Sequence, residues 1–243
     1  MCIFRNIIFS ANDMDKLVVL TGAGMSAESG IKTFRDDDGL WEGHDVMEVA
    51  SPQGWRKNPE LVLDFYNQRR RQLHEVEPNS GHEALSALED IFSTTVVTQN
   101  VDDLHERGGS SNVLHLHGEL FKVRSTQHPE LVYEWKEDLN IGHTCEKGHQ
   151  LRPHIVWFGE AVPMLEEAAL EVLDADIILI IGSSMQVYPA AGLVGFAQKA
   201  RKIYYVDPNP SINYELSLIA DLKVIDAPAT QGVPAVVEDL MRV

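Results

Sequence analysis

Five short runs of this 243-residue chain are apolar or β-branched at every position: 17–20, 94–97, 177–181, 203–206 and 224–225. A strand with one solvated face alternates apolar and polar residues, so runs this uniform belong in the middle of a parallel sheet covered on both faces. Amphipathic stretches separate them, over 59–74, 82–91, 164–173 and 190–199. The alternation predicts an α/β fold, a Rossmann-like open, mainly parallel sheet with helices on both faces. Two intervals leave the pattern. Residues 31–59 are polar and irregular before their helix, and 118–153 are rich in His, Lys and Glu with no strong period. The expected organisation is one domain over 1–243, with a core of 14–118 and 154–243 and a small inserted lobe over 119–153.

Charge and cysteine content remove several classes of function. The chain carries 37 acidic against 20 basic residues, a net charge of −17. Phosphate backbones demand excess Lys and Arg, so a nucleic-acid binder is not expected. Cys2 and Cys145 are the only cysteines. That excludes a disulfide framework and a four-cysteine zinc site, and it suits a reducing compartment. No apolar run approaches the roughly 18 to 20 residues that span a bilayer, so no membrane partner is expected. The start of the chain has a short apolar stretch followed by Asn12 and Asp13 without a small-residue cleavage site, so it is read as an upstream extension ahead of Met14 and the protein as cytoplasmic.

The run 17–20 leads directly into Thr21-Gly22-Ala23-Gly24-Met25-Ser26-Ala27, a strand closing in a glycine turn that opens a helix. Gly22 permits the turn, Gly24 lets backbone N–H groups approach a pyrophosphate, and Ala27 suits close packing of helix on strand. By itself this pattern also fits a βα turn without a ligand. A dehydrogenase would show a second strand ending in an acid about 20 residues later. Here that region reads Asp36-Asp37-Asp38-Gly39-Leu40-Trp41, a loop, which weakens a hydride-transfer reading. The glycines lead instead to Glu28-Ser29-Gly30-Ile31-Lys32-Thr33-Phe34-Arg35, a segment with an aromatic wall and a guanidinium suited to a phosphate or carboxylate.

This stretch resembles the signature of the sirtuins, NAD-dependent protein-lysine deacylases. Four later blocks agree in order: Thr98-Gln99-Asn100-Val101-Asp102-Asp103-Leu104-His105, His115-Leu116-His117-Gly118, Arg152-Pro153-His154-Ile155-Val156-Trp157-Phe158-Gly159-Glu160, and Gly182-Ser183-Ser184-Met185-Gln186-Val187-Tyr188-Pro189. The resemblance implies NAD as cofactor and acylated-lysine proteins or peptides as substrates. It implies that Gly22, Ala23 and Gly24 cradle the pyrophosphate, with Ile31, Phe34 and Arg35 over the nicotinamide ribose. Gln99, Asn100 and Asp102 would meet the carboxamide and ribose hydroxyls, and His117 would be the general base, leaving His115 a packing role. Gly182, Ser183 and Ser184 would face the adenosine, Asp207 its ribose where the family commonly has Asn, and Ala229 the adenine from a final loop. Asn100, Asp102 and His117 are the implied catalytic set.

On the substrate side, the resemblance implies that Val156, Phe158, Gly159 and Glu160 belong to an extended segment that pairs with a peptide backbone. Tyr66 and Arg69 lie three apart in 63–71 and so share a helix face. Without the family match they read as a solvated basic face with a half-buried tyrosine. With it, they resemble the subgroup that removes negatively charged acyl groups, and Ala50 matches a small residue that widens the same pocket. Most sirtuins also hold a zinc through two Cys-x-x-Cys pairs, whose positions here are Ser125 with His128 and Thr144 with Lys147. No metal is expected, and Leu131, Val132, Tyr133, Trp135 and Leu139 are expected to supply an apolar core for the lobe instead. An NAD-dependent protein ADP-ribosyltransferase, or an idle NAD-binding module, would use the same cofactor residues. The oligomeric state is left open.

Overall fold

The computed structural model describes residues 14–32, 40, 41 and 43–242. In chain order its elements are β1 (Lys16–Thr21), β2 (Leu40–Trp41), β3 (His44–Asp45), α1 (Val46–Val49), α2 (Pro52–Lys57), α3 (Pro59–Leu73), α4 (Ser80–Ser86), β4 (Ser93–Thr98), α5 (Leu104–Arg107) and β5 (Val113–His115). They continue with β6 (Gly118–Ser125), β7 (Val132–Glu134), β8 (Leu151–Ile155), α6 (Leu165–Leu173), β9 (Ile177–Ile181), β10 (Lys202–Val206), α7 (Tyr214–Ser217), β11 (Leu222–Ile225) and α8 (Ala229–Met241).

The apolar runs become a six-stranded parallel sheet in the order β11-β10-β9-β1-β4-β5. Period-two geometry divides each central strand between two cores. Leu17, Val19, Leu179, Ile181 and Val206 face α4 and α8, whereas Val18, Leu20, Ile178, Ile180 and Tyr205 face α6 and the turn of Ala190–Phe196. This is the open, doubly covered α/β sheet that the runs predict. Helix α3 starts at Pro59, and the Asn58 side chain accepts from the Leu61 N–H at 3.1 Å, an N-cap with proline at the first turn.

Three local expectations need correction. The stretch 190–199 is a 3-10 helix over Ala190–Phe196 rather than an amphipathic α-helix, consistent with the low helix propensity of Gly192 and Gly195. The glycine turn opens two short 3-10 turns, Ala23–Met25 and Ala27–Ser29, closed by Gly30 at φ +101°, rather than a helix. Residues 118–155 include an antiparallel sheet, β7-β6-β8, in place of an irregular excursion. Behind that sheet Leu63, Val123, Leu139, Cys145 and Leu151 form a small core, with Leu131, Tyr133 and Trp135 against it. Val132 points outward, 38% exposed.

Candidate active site

Strand order decides where a ligand can enter. From β1 the chain runs outward through β4 and β5, then returns to the other side of β1 for β9, β10 and β11. A crevice therefore opens beyond the carboxyl ends of β1 and β9, the switch point at which open α/β sheets take ligands. The glycine turn and the Gly182-Ser183-Ser184 loop meet there. Gly24 N–H donates to the Gly182 carbonyl at 2.8 Å. A Cβ on Gly22 would lie 2.8 Å from Gly182 O, and one on Gly24 2.7 Å from Gly182 Cα. Gly182 itself has φ +60°, and its Cβ would fall 2.2 Å from Met25 N. The glycines thus allow two loops to interlock, and the Gly24 amide assigned to a ligand is engaged by Gly182. Ala23 stands half-buried at the start of the first 3-10 turn, and Ser184 is half-buried across the crevice.

The end of β4 supplies the polar wall. Gln99 donates through Nε2 to Ser183 Oγ at 3.3 Å, and Asn100 through Nδ2 to Ser26 Oγ at 3.0 Å. Asn100 N–H donates to Thr98 Oγ1 at 3.0 Å. Asp102 is buried and accepts from the Leu104 N–H at 3.2 Å, with the Ser26 hydroxyl nearby partly offsetting the effect of burial on its carboxyl. Burial pushes its carboxyl up to about 6. Ser26 therefore holds the Asn100 amide beside Asp102, a role the sequence reading missed. Its only sequence signal is a small hydroxyl two residues after the last turn glycine.

His117 is half-buried and donates from Nδ1 to the Gln99 carbonyl at 3.0 Å, which leaves Nε2 as the acceptor in the neutral ring. Burial holds its pKa below the ordinary histidine value. Val156 N–H donates to the His117 carbonyl at 2.9 Å, tying the histidine to the end of β8. His115 has polar partners instead of the expected packing role: its Nδ1 lies 3.2 Å from the Asn100 carbonyl and its Nε2 2.7 Å from Glu106.

The remaining residues implied for the cofactor are distributed unevenly. Asp207 is buried at the end of β10, with Oδ1 accepting from the Asn209 N–H at 2.8 Å. Ile31 packs half-buried against the cluster that contains Tyr66. Ala229 is not in a loop: it is the first residue of α8, with its side chain in the core. Phe34 and Arg35 lie outside the described residues.

Ala50, Tyr66, Ile155 and Trp157 share one apolar cluster beside β8. Tyr66 is fully buried, not half-buried, and its hydroxyl accepts from Trp157 Nε1 at 3.0 Å. Burial raises its pKa, so it is a neutral donor at all ordinary pH. One turn on, the Arg69 guanidinium lies over the Phe65 ring, 4.4 Å from its centroid. The next residue, Arg70, is a buried structural cation that the sequence reading left unmarked; it donates to the Leu120 carbonyl at 3.1 Å and to Asn67 Oδ1 at 2.8 Å.

The 155–160 segment is only partly extended. Residues 158–160 form a turn with Gly159 at φ +88°, and Glu160 N–H donates to the Trp157 carbonyl at 2.9 Å. Glu160 is held by Arg152 at 2.7 Å, by Arg124 at 3.1 Å and by the Trp157 N–H at 2.8 Å, and these partners keep its carboxyl ionised below the usual range. Its carboxylate thereby braces the turn from within the chain. Phe158 is exposed, while its N–H donates to the Ala50 carbonyl at 3.0 Å.

At the positions where most sirtuins carry zinc cysteines, the donor chemistry does not suit zinc. Ser125 Oγ accepts from the N–H groups of Gln127 at 3.3 Å and His128 at 3.2 Å and from the Cys145 thiol at 3.4 Å. Lys147 Nζ stands 3.3 Å from His128 Nδ1, where an ammonium would repel a cation.

The model of the Sir2 family matches residues 22–189. An NAD-dependent protein deacylase of Helicobacter pylori is 65% identical over 195 residues, covering 80% of this chain and 85% of that protein. Among solved structures, a Sir2 homologue in complex with NAD shares 39% identity, covers 96% of this chain and 91% of its own, and superposes with a TM-score of 0.83. A Sir2 protein bound to acetylated peptide shares 27% identity over 96% of each chain, with a TM-score of 0.78. The family match takes in the glycine turn, the Gln99 to Asp102 wall, His117 and the Gly182 loop, all of which the fold gathers around one crevice, and the chain belongs to the Sir2 family.

Proposed function

We propose that the chain is an NAD-dependent protein-lysine deacylase that accepts acyl groups ending in a carboxylate as well as acetyl. The observation that carries this reading is His117: Nδ1 is occupied by the Gln99 carbonyl, burial favours the neutral ring, and Nε2 remains to accept a proton beside the polar wall of Ser26, Gln99, Asn100 and Asp102. That wall, with hydroxyl, amide and carboxylate groups at the carboxyl ends of β1, β4 and β9, fits the ribose diol and carboxamide of a dinucleotide. NAD, when bound, supplies the ribose carbon that receives the acyl oxygen as nicotinamide leaves. The chain's own part is to orient the ribose through Asn100 and Asp102 and to take a ribose hydroxyl proton on His117 Nε2.

Selectivity rests on the cluster around Ala50. In an apolar surround a succinyl or malonyl carboxylate loses water, and a charge-assisted partner must replace it. Arg69, seated over the Phe65 ring, is the cation, and the buried Tyr66 hydroxyl is the neutral donor. Phe158 and Val156 frame the peptide entry. The same reading places the enzyme in the cytoplasm, on acylated proteins, with neither a nucleic-acid nor a membrane partner; among the described residues no helix is long and apolar enough to cross a membrane.

The test is a panel of acetyl-, succinyl- and malonyl-lysine peptides with NAD, scored for nicotinamide and O-acyl-ADP-ribose. Succinyl or malonyl turnover at least equal to acetyl supports the acidic-acyl pocket. Turnover of acetyl alone would remove it, and transfer of ADP-ribose to protein without acyl loss would replace deacylation with ADP-ribosyl transfer.

A further inference from the structure

The residues Gln99 to Asp102, in the five-residue loop between β4 and α5, carry the polar wall and have no regular structure of their own. Side chains from elsewhere fix their backbone. Two of these come from one short segment: His117 donates from Nδ1 to the Gln99 carbonyl, and His115, two residues earlier, meets the next carbonyl, that of Asn100, at 3.2 Å. His115 differs from His117 in its other ring nitrogen, which faces the Glu106 carboxylate at 2.7 Å. A carbonyl and a carboxylate oxygen can only accept, so the two contacts are both made as hydrogen bonds when each ring nitrogen of His115 carries a proton, that is, in the imidazolium form.

Keeping that cation costs desolvation, since the His115 side chain is only 8% exposed. Burial alone would discharge the ring, yet Glu106 and Glu119 outweigh it and its pKa is raised. A residue needed only for packing could be apolar and avoid that cost. What the charge supplies is a stronger hydrogen bond to one carbonyl. The carbonyl belongs to Asn100, whose N–H is fixed by Thr98 and whose side-chain amide is fixed by Ser26.

We propose that His115, clamped between Glu106 and the Asn100 carbonyl, is a positioning residue that sets how Asn100 is presented to the crevice. The proposal rests on the reading of Asn100 as part of the active site. It assigns the two histidines of His115-Leu116-His117 to consecutive carbonyls of one loop, with Nε2 free for chemistry only in His117.

The test uses kcat and KM for NAD and for an acetyl-lysine peptide, with Tm for each variant. Asparagine carries its amide nitrogen near the place of Nδ1, whereas glutamine reaches toward that of Nε2. His115→Leu and His115→Gln should lower kcat about 10- to 100-fold with little change in the peptide KM, the scale of a displaced catalytic group. His115→Asn should recover most of the loss. Glu106→Gln, at a more exposed position, should lower kcat in the same direction at unchanged Tm. Equal kcat in the Leu, Gln and Asn variants, or wild-type kcat in Glu106→Gln, would overturn the proposal. Asn100→Ala separates the two levels. Wild-type turnover in that variant would overturn the site itself, whereas an inactive Asn100→Ala beside fully active His115→Leu and His115→Gln would overturn only the role of His115.

Discussion

His82 makes the fold sensitive to acid in a way that can be calculated. Its side chain is fully buried at the start of α4, where Nδ1 accepts the Asn79 N–H at 3.2 Å as half of a capping box. Its ring packs edge-on against buried His105, with centroids 4.9 Å apart. Burial pushes the His82 pKa down to about 4, against about 6.5 in an unfolded chain. Between those values the unfolded state binds the proton and the folded state does not, so stability rises with pH and is lost as pH falls through the window. Linkage gives a loss of about 2 kcal/mol between pH 7.5 and pH 5 from this one group. His82→Asn keeps an acceptor for the Asn79 N–H and removes the titration. It should lower stability at both pH values through the lost ring, yet flatten the pH dependence by about 2 kcal/mol relative to wild type. Urea unfolding at the two pH values measures this directly, because the constant packing loss cancels in the difference. Parallel pH dependences in wild type and His82→Asn would refute the assignment of a neutral, buried His82.

Arg69→Met should raise KM for succinyl-lysine roughly tenfold to a few hundredfold while deacetylation stays nearly unchanged, the scale of a hydrogen bond to a charged group; equal losses on both substrates would make Arg69 a structural residue. Gly182→Ala places a Cβ 2.2 Å from Met25 N at a φ of +60°, so the interlocked loops must separate. The variant should lose NAD binding by calorimetry together with several degrees of Tm, and wild-type affinity would show that the loops need no such contact. The activity profile should have an acidic limb near pH 6, where Asp102 takes up a proton, with His117 protonating below its ordinary value; a flat kcat/KM from pH 5 to 8 would contradict the need for an ionised Asp102.

The parallel sheet was legible because its strands are covered on both faces, which makes them apolar throughout and leaves a clear mark at 177–181 and 203–206. Helix α8 was not, because Gly232 and Pro234 weaken its local signal. Gly232 is there for a tertiary reason: a Cβ would lie 2.4 Å from Val206 Cγ1, where the helix packs on β10. Strand β6 alternates buried and half-buried residues over 121–125, with Lys122 and Arg124 on the half-buried side, but so short an alternation inside a polar stretch did not stand out until its pairing with β8 made it plain. In the candidate site, the motifs marked single residues and not their partners. Nothing local says that Ser26 holds the Asn100 amide, that Trp157 donates to Tyr66, or that Glu160 serves Arg152, since each contact joins residues that are distant in sequence or depends on a turn. His115 and Glu106 are nine positions apart, a spacing without meaning until α5 folds against β5.

The central claim is that one crevice, with His117 as its base, couples removal of an acyl group to consumption of NAD. Its most direct test is the ratio of nicotinamide released to lysine uncovered in a single-turnover reaction of a succinyl- or acetyl-lysine peptide, for wild type and for His117→Ala. The wild type should release one nicotinamide per lysine uncovered, and the variant should lose about 10²-fold or more in lysine uncovered, the scale for removing a general base. Acyl loss without nicotinamide release, or wild-type turnover in His117→Ala, would contradict it.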